Sequence, residues 1–275
     1  EYVGSYDYWI VKIDATGTIE WQNTIGGAGS DELKKIIQTA DGGYLAGGHS
    51  SSMAGYDKSE DVVGLATAHP DYWVVKMDAS GNIEWDNTIG GTNNDYLTDV
   101  IQTFDGNYFL GGYSNSEPSG DKIEINFFIA NFWVGGNSDY WVLQLDDSGD
   151  IIWQNTIAGG EDDQLRAVTQ SADGSLVFGG YSQSDLYYDK DESYMHYYAN
   201  DDYFDYWILK FYQDCLPVAE TCNSLDDNCN GLIDDGITET IAISAGGPIT
   251  FCQGGNVLLT ATYSGTSVLW KKNGT

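Results

Sequence analysis

An all-β repeat protein is what this sequence predicts, and three observations carry that expectation. Asp7-Tyr8-Trp9 recurs as Asp71-Tyr72-Trp73, Asp139-Tyr140-Trp141 and Asp205-Tyr206-Trp207, at intervals of 64, 68 and 66 residues. Inside the copies the landmarks keep register: 14 residues from Asp to a second Trp (7 to 21, 71 to 85, 139 to 153), then 20 to an Asp-Gly pair at 41, 105 and 173. Trp9, Val11 and Ile13 alternate with period 2, the spacing of a strand with one covered face. Constant spacing with length variation in one segment indicates stacked copies of one supersecondary unit, with an insertion on one rim.

Each copy reads as four short strands, in the first copy residues 8–14, 18–25, 33–39 and 44–50. Asp14-Ala15-Thr16-Gly17 and its equivalents ending in Gly81 and Gly149 supply the first turn. Asp41-Gly42, Asp105-Gly106 and Asp173-Gly174 supply the last, expected as type I′ hairpins with positive φ at both central positions. Gly47-Gly48, Gly111-Gly112 and Gly179-Gly180 leave room for close backbone approach. Four antiparallel strands per copy match one blade of a β-propeller, with a solenoid or sandwich as the alternative. The repeated tryptophans are expected to pack between blades.

The expected fold is therefore a partial β-propeller of three four-stranded blades plus one strand of a fourth. Residues 1–6 read as the tail of a preceding insertion, 7–70, 71–138 and 139–204 as the blade repeats, and 205–214 as the first strand of a fourth repeat or a closing strand. A Cys- and Asp-rich connector (215–237) and a truncated immunoglobulin-like β-sandwich (238–275) follow. Rings usually hold about four to eight blades, so further blades are expected upstream or from partner copies.

Composition narrows the partners. Asp and Glu number 42 against 11 Lys and Arg, a net charge of −31. Phosphate-rich nucleic acid and anionic membranes would be repelled. No apolar run is long enough to span a bilayer as a helix. All four cysteines (215, 222, 229, 252) follow the repeats, which favours an oxidising, extracellular setting.

The loop after the second strand and the insertion after the fourth should share one rim. Asp31, Glu32, Asp95, Glu161, Asp162 and Asp163 make that rim acidic, and each insertion carries Asp-Lys-x-Glu, beginning at 57, 121 and 189. Local Lys–carboxylate pairing and a cation site are both open readings. Beyond it the insertions carry Phe127 and Trp133, then Tyr187, Tyr188, Tyr197 and Tyr198. These rings can stack on sugar faces, or they cover neighbouring blades. Histidines are few and unrepeated, although His49 stands where the other copies have Tyr113 and Tyr181. Arg166 is the lone arginine, and no nucleophile or phosphate-loop motif occurs.

In the connector, Asp226, Asn228 and Asn230 occupy positions 1, 3 and 5 of an EF-like loop. Gly231 supplies the sharp turn, Leu232 a carbonyl and Asp234 position 9; Ile237 replaces the usual bidentate Glu. Oxygen donors at alternate positions suit Ca²⁺, and a Cys222–Cys229 disulfide would staple the loop.

The wording Asp-Tyr-Trp-x-x-Lys-x-Asp (7 to 14), Trp-Gln-x-Thr-x-Gly-Gly (21 to 27) and Gln-Thr-x-Asp-Gly-Gly-Tyr (38 to 44) resembles the propeller-like repeats of large secreted bacterial surface proteins, often exported by type IX secretion. The connector resembles the MopE-type metal-binding motif. The tail, with strands near 241–244, 257–263 and 268–270, resembles the opening of an immunoglobulin-like adhesion module. The resemblance implies a secreted or outer-surface, non-catalytic protein that binds extracellular glycan or protein beside other domains of a longer chain. A secreted carbohydrate-active propeller enzyme and a passive stalk are the alternatives.

Overall fold

The computed structural model describes residues 5–64, 69–126, 137–186, 188–192 and 204–211 of a first unit, and 242–245 and 259–262 of a second. The described residues hold strands and no helix. In the first unit these are β1 (Tyr8–Ile13), β2 (Ile19–Ile25), β3 (Asp31–Gln38), β4 (Tyr44–Ser50), β5 (Asp71–Met77), β6 (Ile83–Ile89) and β7 (Asp95–Gln102). They continue as β8 (Tyr108–Ser114), β9 (Asp139–Leu145), β10 (Ile151–Ile157), β11 (Asp163–Gln170), β12 (Leu176–Ser182) and β13 (Asp205–Phe211). The four strands expected per copy are present.

The sheets are cut out of phase with the copies. They run β1-β2, β3-β4-β5-β6, β7-β8-β9-β10 and β11-β12-β13, all antiparallel. Each complete sheet therefore joins the last two strands of one copy to the first two of the next. Two four-stranded sheets, one of three strands and one of two replace the expected three complete blades, and the described sheets do not close on themselves. The seam between sheets falls at the five-residue loop 26–30, not at the long insertion.

The turns differ as well. Gly42, Gly106 and Gly174 have φ of +87°, +91° and +83°, yet the aspartates before them are not left-handed. Gly42 N–H closes on the Thr39 carbonyl at 2.9 Å, and Asp41 accepts from Gly43 N–H at 2.9 Å. One left-handed glycine after an ordinary turn is the longer hairpin loop with a glycine bulge, not type I′.

Alternation along Asp-Tyr-Trp explains the seams. Tyr and Trp project from opposite faces of one strand, so each sheet offers Tyr forward and Trp backward. Tyr8 meets Trp73 with ring centroids 4.8 Å apart, Tyr72 meets Trp141 at 5.0 Å and Tyr140 meets Trp207 at 5.1 Å. Each tyrosine hydroxyl donates to the backbone carbonyl of the tryptophan it faces, at 3.0–3.1 Å. The second glycine of each Gly-Gly pair makes room for this. A Cβ on Gly112 would lie 2.1 Å from the Tyr96 carbonyl and 2.4 Å from the Tyr72 hydroxyl.

Outer strands add a second grip. Trp21 and Trp85 donate to the carbonyls of Ala79 and Asp147 at 3.2 Å, and Asn87 donates to Gly149 at 2.7 Å. Trp73 and Trp141 are fully buried, as expected of seam tryptophans, whereas Trp9, on the sheet with no described predecessor, is 66% exposed. In the second unit β14 (Ala242–Ala245) pairs antiparallel with β15 (Leu259–Thr262).

Candidate functional site

Strands β3, β7 and β11 stand first in their sheets and follow one another across the seams, β7 packing on β3, β4 and β5, and β11 on β7, β8 and β9. A cleft of about 370 Å³ opens across them, lined by Glu32 and Lys34 of β3, His49 of β4, Tyr96, Leu97 and Thr98 of β7, Tyr113 of β8 and Arg166 of β11. Its residues come from equivalent positions of the copies. Glu32 matches Tyr96, Lys34 matches Thr98 and Arg166, and His49 matches Tyr113 and Tyr181. The scaffold presents these positions in series while their chemistry varies.

Aromatic faces line the cleft. The His49 ring meets Tyr96 edge-on at 4.9 Å, and Tyr96 lies 5.1 Å from Tyr113. The Arg166 guanidinium sits over Tyr113 at 5.2 Å and over Tyr181 at 4.6 Å, and donates to Gln164 at 2.6 Å. Stacking fixes the plane of the guanidinium while other N–H donors of its five remain for a ligand. Lys34 donates to Glu32 at 3.0 Å, which holds that carboxylate below its usual range. Burial, with Lys34 nearby, pushes His49 down to about 4, so its 3.8 Å approach to Glu32 is that of a neutral imidazole at neutral pH. Below, Lys35 reaches Asp99 at 3.2 Å, and Asp99 accepts from Val168 N–H at 3.0 Å, tying the three inner strands together.

The acidic rim is different from its sequence reading. Asp31, Asp95 and Asp163 are fully buried. Each accepts from the second backbone N–H of the loop before it (Gly27, Gly91, Gly159) at 2.7 Å, and from a serine hydroxyl (Ser52, Ser116, Ser184) at 2.9–3.0 Å. Burial lifts Asp95 and Asp163 to about 6, and Asp71, facing Asp95, to about 8. These are internal struts rather than an open cation ring. Among the described residues no cluster of three His, Cys, Asp or Glu is arranged to hold a metal.

Asp-Lys-x-Glu is structural in the two copies that the sheets enclose. Asp57 exchanges backbone and carboxylate bonds with Gly26, and Asp121 does so with Gly90. Lys58 and Lys122, both buried, donate to the hydroxyls of Thr88 and Thr156 one sheet further on, while Glu60 and Glu124 accept from the backbone N–H of those threonines. Each insertion thus clamps two consecutive sheets. The motif is structural as a clamp, but not by the expected Lys–carboxylate pairing: its lysines donate to threonine hydroxyls and its carboxylates accept backbone N–H groups.

Of the aromatic rim candidates, Tyr188 is exposed and left-handed, with φ of +51°. Phe127, Trp133, Tyr187, Tyr197 and Tyr198 lie outside the described residues, as do Cys222, Cys229 and the loop donors Asp226, Asn228, Asn230, Leu232 and Asp234. The cleft was missed as a whole, although the departures at His49 and Arg166 were its visible signal. No protein-family model matches the chain, and no curated protein matches it.

Proposed function

We propose that the chain is an extracellular, non-catalytic binding protein, a partial β-propeller whose inner-strand cleft takes a carboxylate-bearing glycan. The single observation that carries this reading is the cleft itself. In a chain of net charge −31, it sets Lys34 and Arg166 beside the partly exposed rings of Tyr96 and Tyr113. A planar guanidinium matches a carboxylate by two parallel hydrogen bonds, and tyrosine faces offer flat apolar surface to a sugar ring. The serial inner strands support the propeller reading, and the cysteine-bearing acidic tail supports an exported, calcium-stabilised connector at 215–237.

Binding is favoured over glycosidase chemistry by where the titratable groups sit. A glycosidase acid needs a raised carboxyl open to substrate. Here the most strongly raised carboxyls, Asp71, Asp95 and Asp163, are sealed from solvent, Asp121, raised by its partial burial, is tied to Gly90 N–H away from the cleft, and Glu32 in the cleft is held ionised by Lys34. The test is an array of neutral, sialylated and uronate glycans probed with the whole chain and with Arg166→Ala. Selective retention of acidic glycans, lost in the variant without release of sugar, is expected. Equal retention by both proteins would overturn the site, and sugar release would overturn the non-catalytic reading.

A further inference from the structure

Among the described residues the outer edge of β13 is unpaired, and it carries half of a clamp that the two complete sheets show whole. In those sheets the outer strand is held at two positions. The residue after its tryptophan, Asp86 or Gln154, accepts from the indole N–H of Trp73 or Trp141 at 3.0 and 3.3 Å. The same side chains accept from the insertion backbone at Ser59 and Ile123, at 3.0 and 3.2 Å. Two residues on, Thr88 or Thr156 takes the lysine of Asp-Lys-x-Glu on its hydroxyl and gives its backbone N–H to the glutamate.

The third copy repeats the holding groups. Asp189 docks on Ala158 at 3.0 Å in both directions, as Asp121 does on Gly90. Lys190 and Trp207 are each 5% exposed. Yet β13 pairs only with β12, and no outer strand lies beside it among the described residues. Lys190 Nζ reaches the backbone carbonyl of Glu192 at 3.0 Å, as Lys122 reaches that of Glu124 at 2.7 Å, but among the described residues it has no threonine hydroxyl. Glu192 is exposed, and among the described residues no threonine N–H meets its carboxylate.

We propose that this edge is a strand-acceptor site whose occupant is a strand of the chain's own outer type, contributed by a further repeat of this kind. The three outer strands read Ile-Glu-Trp-Gln-Asn-Thr-Ile, Ile-Glu-Trp-Asp-Asn-Thr-Ile and Ile-Ile-Trp-Gln-Asn-Thr-Ile. Trp73 pairs with Thr88 and Lys76 with Trp85, so the incoming threonine falls opposite Trp207 and the incoming tryptophan opposite Lys210. In that register a hydroxyl meets Lys190, an N–H meets Glu192 and a side-chain oxygen meets the Trp207 indole. Main-chain bonds along the open edge supply affinity, as in other strand additions, and these side-chain groups supply selectivity. The site is independent of the glycan cleft.

The experiment titrates the full chain into fluorophore-labelled Ile-Glu-Trp-Gln-Asn-Thr-Ile and reads anisotropy. Saturable one-to-one binding is expected. Replacing the peptide threonine by valine, or Glu192→Gln in the protein, should each weaken it about tenfold, the scale of one hydrogen bond to a charged group. Lys190→Met supplies a second variant from the opposite side of the clamp. Absent binding, or equal binding of a scrambled peptide, would overturn the proposal. So would chain self-association abolished by Lys190→Met without peptide capture, because the occupant would then be a second copy's whole edge.

Discussion

Replacing Asp71 by asparagine should flatten the dependence of stability on pH. Asp71 is fully buried, accepts from Val63 N–H at 2.5 Å, and faces Asp95 with Lys58 nearby. Burial lifts its carboxyl to about 8 from an ordinary value of 3.8, and Asp95 opposes its ionisation. The folded state therefore binds a proton that the unfolded chain has released. Stability linked to that proton is fully present below about pH 4 and is lost as pH rises through 8. Between pH 6 and 8 ordinary carboxylates have finished titrating, while buried His49, Lys58 and Lys122, all pushed down by burial, act with the opposite sign, so the difference between the parent and Asp71→Asn isolates this carboxyl. One proton held over two pH units is worth about 1.36 kcal/mol per unit, a bound of roughly 2–3 kcal/mol. In a unit of this size that is a melting shift of about 5–10 °C. Asparagine keeps the shape and does not titrate. Calorimetric melting at pH 6, 7 and 8 should show the parent falling and Asp71→Asn falling less. Parallel curves would refute the reasoning, and so would a parent whose stability relative to Asp71→Asn rises across the window.

Three further outcomes test the seams and the connector. Gly111→Ala places a Cβ 2.4 Å from Val168 of the next sheet, whereas Gly179, its equivalent, meets nothing within 4 Å. The first should cost about 2–3 kcal/mol by overpacking and the second under about 0.5 kcal/mol, read as urea midpoints. Tyr72→Phe removes the donor to the Trp141 carbonyl and should cost about 1 kcal/mol, while Tyr206→Phe, at an 89% exposed ring, should leave the urea midpoint unchanged. Calcium titrated calorimetrically into the whole chain should release heat that Asp226→Ala abolishes; equal heats would remove the metal from the connector.

Strand content was legible because alternation and glycine punctuation act over neighbouring residues. Sheet phase was not, and the reason is energetic. Loop length looks like a boundary marker in the sequence, so the long insertion after Ser50 suggested the end of a blade and the short loop after Ile25 its interior. Pairing obeys a different rule. Closing residues 51–70 rather than 26–30 costs only about 1 kcal/mol more, since closure entropy grows with the logarithm of length. That is small beside seven paired residues between β4 and β5. The short loop instead carries the chain across a seam, where Asp31 and Ser52 hold it.

The same limit explains the misread rim. Formal charge counts treat Asp31, Asp95 and Asp163 like surface carboxylates, but each is fixed by one backbone N–H and one serine hydroxyl whose spacing recurs with the repeat. A carboxylate that recurs in strict register beside a serine 21 residues later is answering an internal donor. Ligand chemistry should instead be sought where the register holds and the residue type changes. That criterion selects 32, 34 and 49 with their equivalents, which are the positions that line the cleft.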